Sequence, residues 1–434
     1  MRRFFIIVFS LACSLRLSAA QTDSGAAAEV RSAVCADRTM ALGLDRLYDM
    51  TPKAMTASPK GYDPVYISHY GRHGSRYAYT AKAYSVPLDM LREGAAAENL
   101  TPYGEQILDQ LERFWQKARY QVGDLTPLGW EQHRYIARTM VGTFPSVFNR
   151  GSRVDACSSA SFRSVLSMSS ECLCIAREAP KADIYEHQGV LDIQATRPNM
   201  GKNPFRYDGP PFVFPYSESS EEFFLRVFPD HEAVLGRLFK DAGLALGGRS
   251  AYDVFFNLYM LVAGMGSVPV EGRPDLSGIF TDEEFARLWE SDNYERFREY
   301  GPYCTSCVSI GDDIISKADA RLALGERGAD LRFGHDHVVM PLLMIMGVNG
   351  FGTIPSSADD LIGSFRTFCS PMAANIQLVF YAPKKNRSGD VLVKLLLNGE
   401  EARFDGLTPT EGPYYEWNTL RDHLYRRGSL FATR

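Results

Sequence analysis

Past its first twenty residues this 434-residue chain has no apolar run long enough to cross a bilayer. It has no long basic run either, and 47 Lys+Arg against 52 Asp+Glu leave a formal charge of −5. That balance argues against nucleic acid as the main partner. There is no internal repeat and no low-complexity tract. Cys304 and Cys307 have the C-x-x-C spacing, but no second ligand pair stands where a zinc site needs one. What is left is an ordinary globular composition, 45% hydrophobic and 23% charged, with material for two structural lobes or three. Positive charge gathered locally on such an acidic chain suits a small anionic substrate.

The first residues read as an export signal. Arg2-Arg3 is a basic start, Phe4 to Cys13 is apolar and too short to span a membrane, and Ser18-Ala19-Ala20 fits a cleavage site. The expected products are residues 1–20 as signal peptide and a periplasmic or secreted protein beginning near Gln21. Lipid anchoring through Cys13 is the rival reading, and Ser10-Leu11-Ala12 matches it poorly. Cleavage leaves an odd number of cysteines, so at least one is unpaired. In an exported chain Cys304 and Cys307 are expected as a local disulfide. Cys172 and Cys174 fit buried thiols equally well.

Ten residues, Ser68-His69-Tyr70-Gly71-Arg72-His73-Gly74-Ser75-Arg76-Tyr77, follow the buried-strand run Val65-Tyr66-Ile67. They place a histidine between two arginines. Arginine forks match phosphate oxygens, and glycine lets backbone approach a ligand closely. Two later segments repeat the design of strand, polar turn and helix: Val154 to Arg163 and Leu331 to His337. In an open α/β sheet ligands bind at the carboxyl ends of strands, where helix N-termini receive anions. Together the segments supply Arg72, His73 and Arg76, then Arg163, then His335 and Asp336. This set suits phosphoryl transfer. His73 would serve as nucleophile, the arginines, and His335 if protonated, would hold phosphate charge, and Asp336 could donate a proton to the leaving group. No cofactor and no metal is needed.

Elsewhere the pattern is coarse. A short helix is expected over Leu42–Tyr48. Thr101-Pro102 and Thr126-Pro127 each open a helix by a threonine cap with proline at the first position. Residues 217–327 read as mostly helical, with His231–Ala242 as one helix. Met372–Tyr381 and Val391–Leu397 read as a hairpin, and Trp417–Phe431 as a last helix. The expected organisation is an N-terminal segment 21–60, an α/β core over 61–190 and 328–434, and an inserted mostly helical lobe over 191–327.

Arg72-His73-Gly74-Ser75-Arg76 with the distant His335-Asp336 resembles the histidine acid phosphatases, in the branch that holds phytases and multiple inositol polyphosphate phosphatases. Leu125-Thr126-Pro127-Leu128-Gly129 before a glutamine, Arg163 at a serine-rich helix start, and Met372-Ala373-Ala374-Asn375-Ile376 extend the likeness over about Val65 to Leu397. The resemblance implies a phosphoglycerate-mutase-like α/β core with a central mixed sheet and an inserted helical lobe. It also implies a phosphohistidine on His73, phosphate held by Arg72, Arg76, Arg163 and His335, and Asp336 as proton donor. Tyr77 after Arg76 is similar to the inositol polyphosphate branch. That branch usually carries His-Ala-Glu where this chain has His335-Asp336-His337, closer to acid phosphatases and phytases.

Lone charges such as Lys82, Lys181, Lys202 and Arg197 could widen a positive pocket, but isolated charges are more often solvated. His69 and His337 fit a structural role as well as a substrate-lining one, and His133 fits helix packing. The expectation is an exported phosphomonoester hydrolase acting on inositol polyphosphates such as phytate. The alternatives are a phosphoglycerate-mutase-like transferase, against which the export signal and Asp336 count, and a silent surface protein that binds phosphorylated ligands.

Overall fold

The computed structural model describes residues 23–189, 192–198, 213–385 and 390–432; the expected signal peptide, residues 1–20, and Lys202 lie outside them. In chain order the elements are α1 (Asp23–Ala36), β1 (Tyr62–Arg72), α2 (Lys82–Ala96), α3 (Pro102–Ala118), α4 (Pro127–Thr143), β2 (Arg153–Ser158), α5 (Phe162–Glu178), β3 (Asp183–His187) and α6 (Asp192–Thr196). There follow α7 (Ser220–Val227), α8 (His231–Leu238), α9 (Ala242–Ala245), α10 (Ala251–Gly264), α11 (Asp282–Tyr300) and α12 (Tyr303–Leu324). The chain closes with β4 (Gly328–Gly334), α13 (Asp336–Met346), β5 (Asn375–Pro383), β6 (Leu392–Leu397), β7 (Glu400–Glu401), β8 (Tyr414–Glu416) and α14 (Trp417–Ala432).

The strands form one sheet in the order β3-β2-β4-β1-β5-β6-β7, with β8 beside β6. The β3-β2-β4-β1 half is parallel and the β1-β5-β6 half antiparallel, so the sheet is mixed, as expected. β1 is central. Its residues Tyr66, Ile67 and Tyr70 are buried, and β-branched and aromatic side chains suit such a strand. The expected hairpin is the β5–β6 pair.

Both threonine caps form. Thr101 Oγ1 accepts from the Gly104 amide at 3.0 Å and Thr126 Oγ1 from the Gly129 amide at 3.4 Å, with proline next in each case. Such caps contribute about 1 kcal/mol each. α10 packs on α2 and α8 on α3. One apolar cluster runs from Phe255 and Trp289 in the helical stretch to Tyr66, Tyr70 and Ile376 in the sheet.

Several expectations need correction. Leu42–Tyr48 is not an α-helix but a 3-10 turn over Met40–Asp45. Gly43 breaks it at φ +53, where a Cβ would lie within 3.1 Å of the Tyr259, Thr367 and Trp289 side chains. His231–Ala242 splits into α8 and α9 because Phe239 is extended and bridges to Leu100. α1 was not expected, although Ala27, Val30 and Val34 are buried at helical spacing. Cys304 and Cys307 are free thiols, buried one turn apart in α12. Cys304 Sγ lies 3.8 Å from Met344 Sδ, so the pair serves as apolar filling.

Candidate active site

Register brings the three segments together. β4 lies between β1 and β2; Arg72 stands opposite Gly334 and Ser158 opposite Phe333. Three parallel strands therefore end at one edge. From there the chain delivers His73 after β1, Arg163 in the first turn of α5, and His335-Asp336 at the start of α13. A cavity of about 190 Å³ opens there, lined on this side by His73, Arg76, Arg163, His335 and Asp336.

The loop after β1 is clamped from α4. Ser75 donates its amide to Gln132 Oε1 at 2.8 Å, and its hydroxyl oxygen accepts from Gln132 Nε2 at 2.9 Å. The Ser75 carbonyl accepts from Thr126 twice, through the amide at 2.9 Å and the hydroxyl at 3.0 Å. Gly74 and Gly129 allow the backbones to touch. The threonine, glycine and glutamine of the second capped helix thus hold the histidine loop in place.

His73 is 2% exposed, and its Nδ1 lies 3.0 Å from the Gly74 carbonyl. A carbonyl only accepts, so Nδ1 carries the proton and Nε2 keeps its lone pair. Burial holds His73 well below the usual imidazole range, and the charges of Arg163, Arg72 and Arg76 push the same way. These influences all favour the neutral, nucleophilic ring. His335 is also held neutral, first by burial and then by His337 and Arg163. The extra donor that a protonated His335 would supply is therefore not favoured before substrate binds; a hydrogen bond to the Ser159 hydroxyl at 2.9 Å orients the ring.

The arginines are not equivalent. Arg163 lines the cavity, and burial followed by the Arg76 charge pushes its pKa down to about 10. Arg76 donates to the Tyr77 carbonyl at 3.1 Å and stands 3.9 Å from Asp45. Arg72 is fully buried behind Asp336. It donates to the Leu44 and Ser370 carbonyls at 2.5 and 2.7 Å and to Asp336 Oδ2 at 3.0 Å. Burial is the largest influence on the Asp336 carboxyl and pushes it upward, but Arg72, His337 and His73 together outweigh it and keep the group well below the usual carboxylate range. The resting site thus holds an Asp336 anion. Arg197, not chosen from sequence, also lines the cavity. The Nε–H groups of Arg72, Arg76, Arg163 and Arg197 are buried, and none has a partner among the described residues. Lys82 and Lys181 are exposed and lie off the cavity.

Sequence reasoning missed the far wall. α11 brings Asp292, Arg296, Glu299 and Tyr300 to the cavity. Arg296 is already bonded to Asp292 at 3.1 Å and Glu299 at 2.7 Å, so its charge is largely spent. Burial pushes the Asp292 carboxyl up to about 6, against Arg296. The only local signal was an Asp–Arg pair at i,i+4 on a helix face that turns out buried.

Beneath the site His133 Nδ1 bonds Glu171 at 2.9 Å and His69 lies 3.8 Å from the same carboxylate, all three fully buried. Burial, opposed by Glu171, pushes His69 down to about 4. The unfolded histidine takes its proton near 6.5, before the folded one does. The stability from this group is therefore present above that pH and lost as pH falls toward 4, roughly 3 kcal/mol in all. His69→Gln is expected to flatten the fall of urea-melt stability over that window. An unchanged slope would contradict the shift.

No protein-family profile matches the sequence, and no curated protein matches it. Solved structures do. The multiple inositol polyphosphate phosphatase of Bifidobacterium longum, solved with inositol hexasulfate, superposes with a TM-score of 0.74 at 18% identity, over 89% of this chain and 97% of that one. A D. castellii phytase gives 0.62 at 16% identity, over 91% and 85%. A Hafnia alvei phytase gives 0.51 at 11%, over 87% and 100%. These neighbours are histidine acid phosphatases, and this chain shares their α/β fold.

Proposed function

We propose that this chain is an exported histidine acid phosphatase that hydrolyses phosphomonoesters, with inositol polyphosphates such as phytate as the substrate class. The observation that carries the reading is a neutral His73, its Nε2 unspent, at a cavity lined by Arg76, Arg163 and Arg197, whose buried Nε–H groups have no partner among the described residues. Unpartnered buried donors converging on one space suit a bound oxyanion.

The phosphoryl group sits between Arg76, Arg163 and His335, with Arg72 adding charge from behind Asp336. His73 Nε2 attacks phosphorus and the P–O bond to the leaving group breaks. The arginines stabilise charge on the equatorial oxygens. Asp336 passes a proton to the leaving oxygen, then takes one from the water that cleaves the phosphohistidine. The entering phosphate dianion offsets Arg72 and the other cations, which raises the affinity of Asp336 for that proton.

The substrate class draws support from the shared fold and from the arginine cluster. The acidic residues of α11 on the far wall temper it and leave room for hydroxyl groups beside the phosphates. The test is hydrolysis of p-nitrophenyl phosphate and phytate by purified protein at acidic pH. Activity on both is expected; folded protein inactive on both would sink the hydrolase reading.

A further inference from the structure

The site has an unsolved proton problem. The leaving oxygen needs a proton, yet Arg72, bonded to Oδ2 at 3.0 Å, and His337 beside Oδ1 keep Asp336 ionised. That leaves Oδ1 for proton exchange. Oδ1 accepts the His337 backbone N–H at 2.9 Å and stands 3.5 Å from His337 Nδ1. A backbone amide does not deliver protons, whereas an imidazole nitrogen can carry one and pass it on. Hydrogen bonds between catalytic groups are often long before substrate binds and tighten afterwards.

The His337 ring is fixed for such a task. It stacks on His335 with centroids 4.8 Å apart and planes 10° apart. Tyr300 and Tyr303 meet its edges at 6.1 and 5.9 Å. Its Nε2 is buried without a partner among the described residues, and the residue lines the cavity. Asp336 and His335 on its own segment, Tyr300 from α11 and Tyr303 from α12 contact it, Glu299, Arg163 and Arg197 line the same cavity, and Arg72 reaches it through Asp336.

We propose that His337 is a positioning residue that holds Asp336 by Oδ1 and supplies the proton Asp336 gives to the leaving group. As the P–O bond breaks and the bond to His73 Nε2 forms, the His337 Nδ1 proton moves to Asp336 and an Asp336 proton goes to the departing oxygen. The alcohol leaves, with His73 phosphorylated and His337 neutral. Water then attacks phosphorus, and its proton returns through Asp336 to His337 as phosphate is released. The cycle closes with no proton gained or lost by the pair.

This inference rests on the phosphatase reading. Its test compares wild type, His337→Phe and His337→Asn on p-nitrophenyl phosphate, whose leaving group needs little protonation, and glycerol phosphate, whose leaving group needs it. Asparagine keeps a hydrogen-bonding group near Asp336 but has no titrating proton. In both variants the loss of kcat on glycerol phosphate is expected to exceed the loss on p-nitrophenyl phosphate by about 10- to 100-fold. The alkaline limb of the glycerol phosphate profile should also move. Equal losses on the two substrates, or full rescue by asparagine, overturn the proton supply. If the phenylalanine variant does not fold, the asparagine variant decides. Wild type inactive on both substrates overturns the phosphatase reading itself, and the relay with it.

Discussion

His73→Ala is expected to remove turnover on every phosphomonoester, by about 10⁴-fold or more, because it deletes the atom that bonds phosphorus. Acid-quenched wild type incubated with labelled substrate should carry acid-labile phosphate on protein, and the variant none. Asp336→Asn tests the other half of the site. It keeps a partner for the Arg72 guanidinium but cannot give up a proton on the same terms. Its loss should be largest for alkyl leaving groups and smaller for p-nitrophenolate. A His73→Ala protein with wild-type turnover would remove the covalent route, and a leaving-group-independent Asp336→Asn would remove the acid role.

Gly74→Ala should produce the second large effect, by packing instead of chemistry. A Cβ there would stand 2.5 Å from the Gly129 carbonyl oxygen and 2.7 Å from its Cα. These are backbone atoms in the first turn of α4, and the Thr126 and Gln132 bonds to Ser75 leave them no easy way to yield. Relief requires the His73 loop to lift off α4. The expected cost is about 3 kcal/mol, with activity down about 100-fold because a misplacement near 1 Å spoils attack geometry. Gly142 is the control. It lies in the same helix with nothing within 4 Å of a Cβ, so Gly142→Ala should be neutral or stabilise by up to about 1 kcal/mol. Urea melts of the two variants, with kcat, test this; similar behaviour of both would refute the packing argument.

Much of the site was legible because its parts are local patterns. A strand entering a polar turn with Arg-His-Gly is written in consecutive residues, and so are the threonine-proline caps. Convergence of the three segments follows from a sheet rule more than from any residue. Arg72 shows where this stopped. Its spacing marked it as a phosphate ligand, but nothing local says that its fork turns to the carbonyls of Leu44 and Ser370 and to Asp336. The far wall was out of reach for a related reason. Asp292 and Arg296 look like a solvated helix pair until α11 is packed against the 3-10 turn that carries Asp45. The cysteines erred the other way, since a spacing that allows a disulfide also suits two thiols on the buried side of one helix.

The sequence by itself determined which chemical groups are present and which strand or helix start presents each, because those follow from periodicity, caps and short motifs. Only the tertiary structure decided their protonation states and partners: a neutral His73 and His335, an ionised Asp336 tied to Arg72, His337 stacked beside it, and an acidic wall opposite. The physical reason is that desolvation and charge coupling depend on neighbours brought from far along the chain, and no window of sequence contains them.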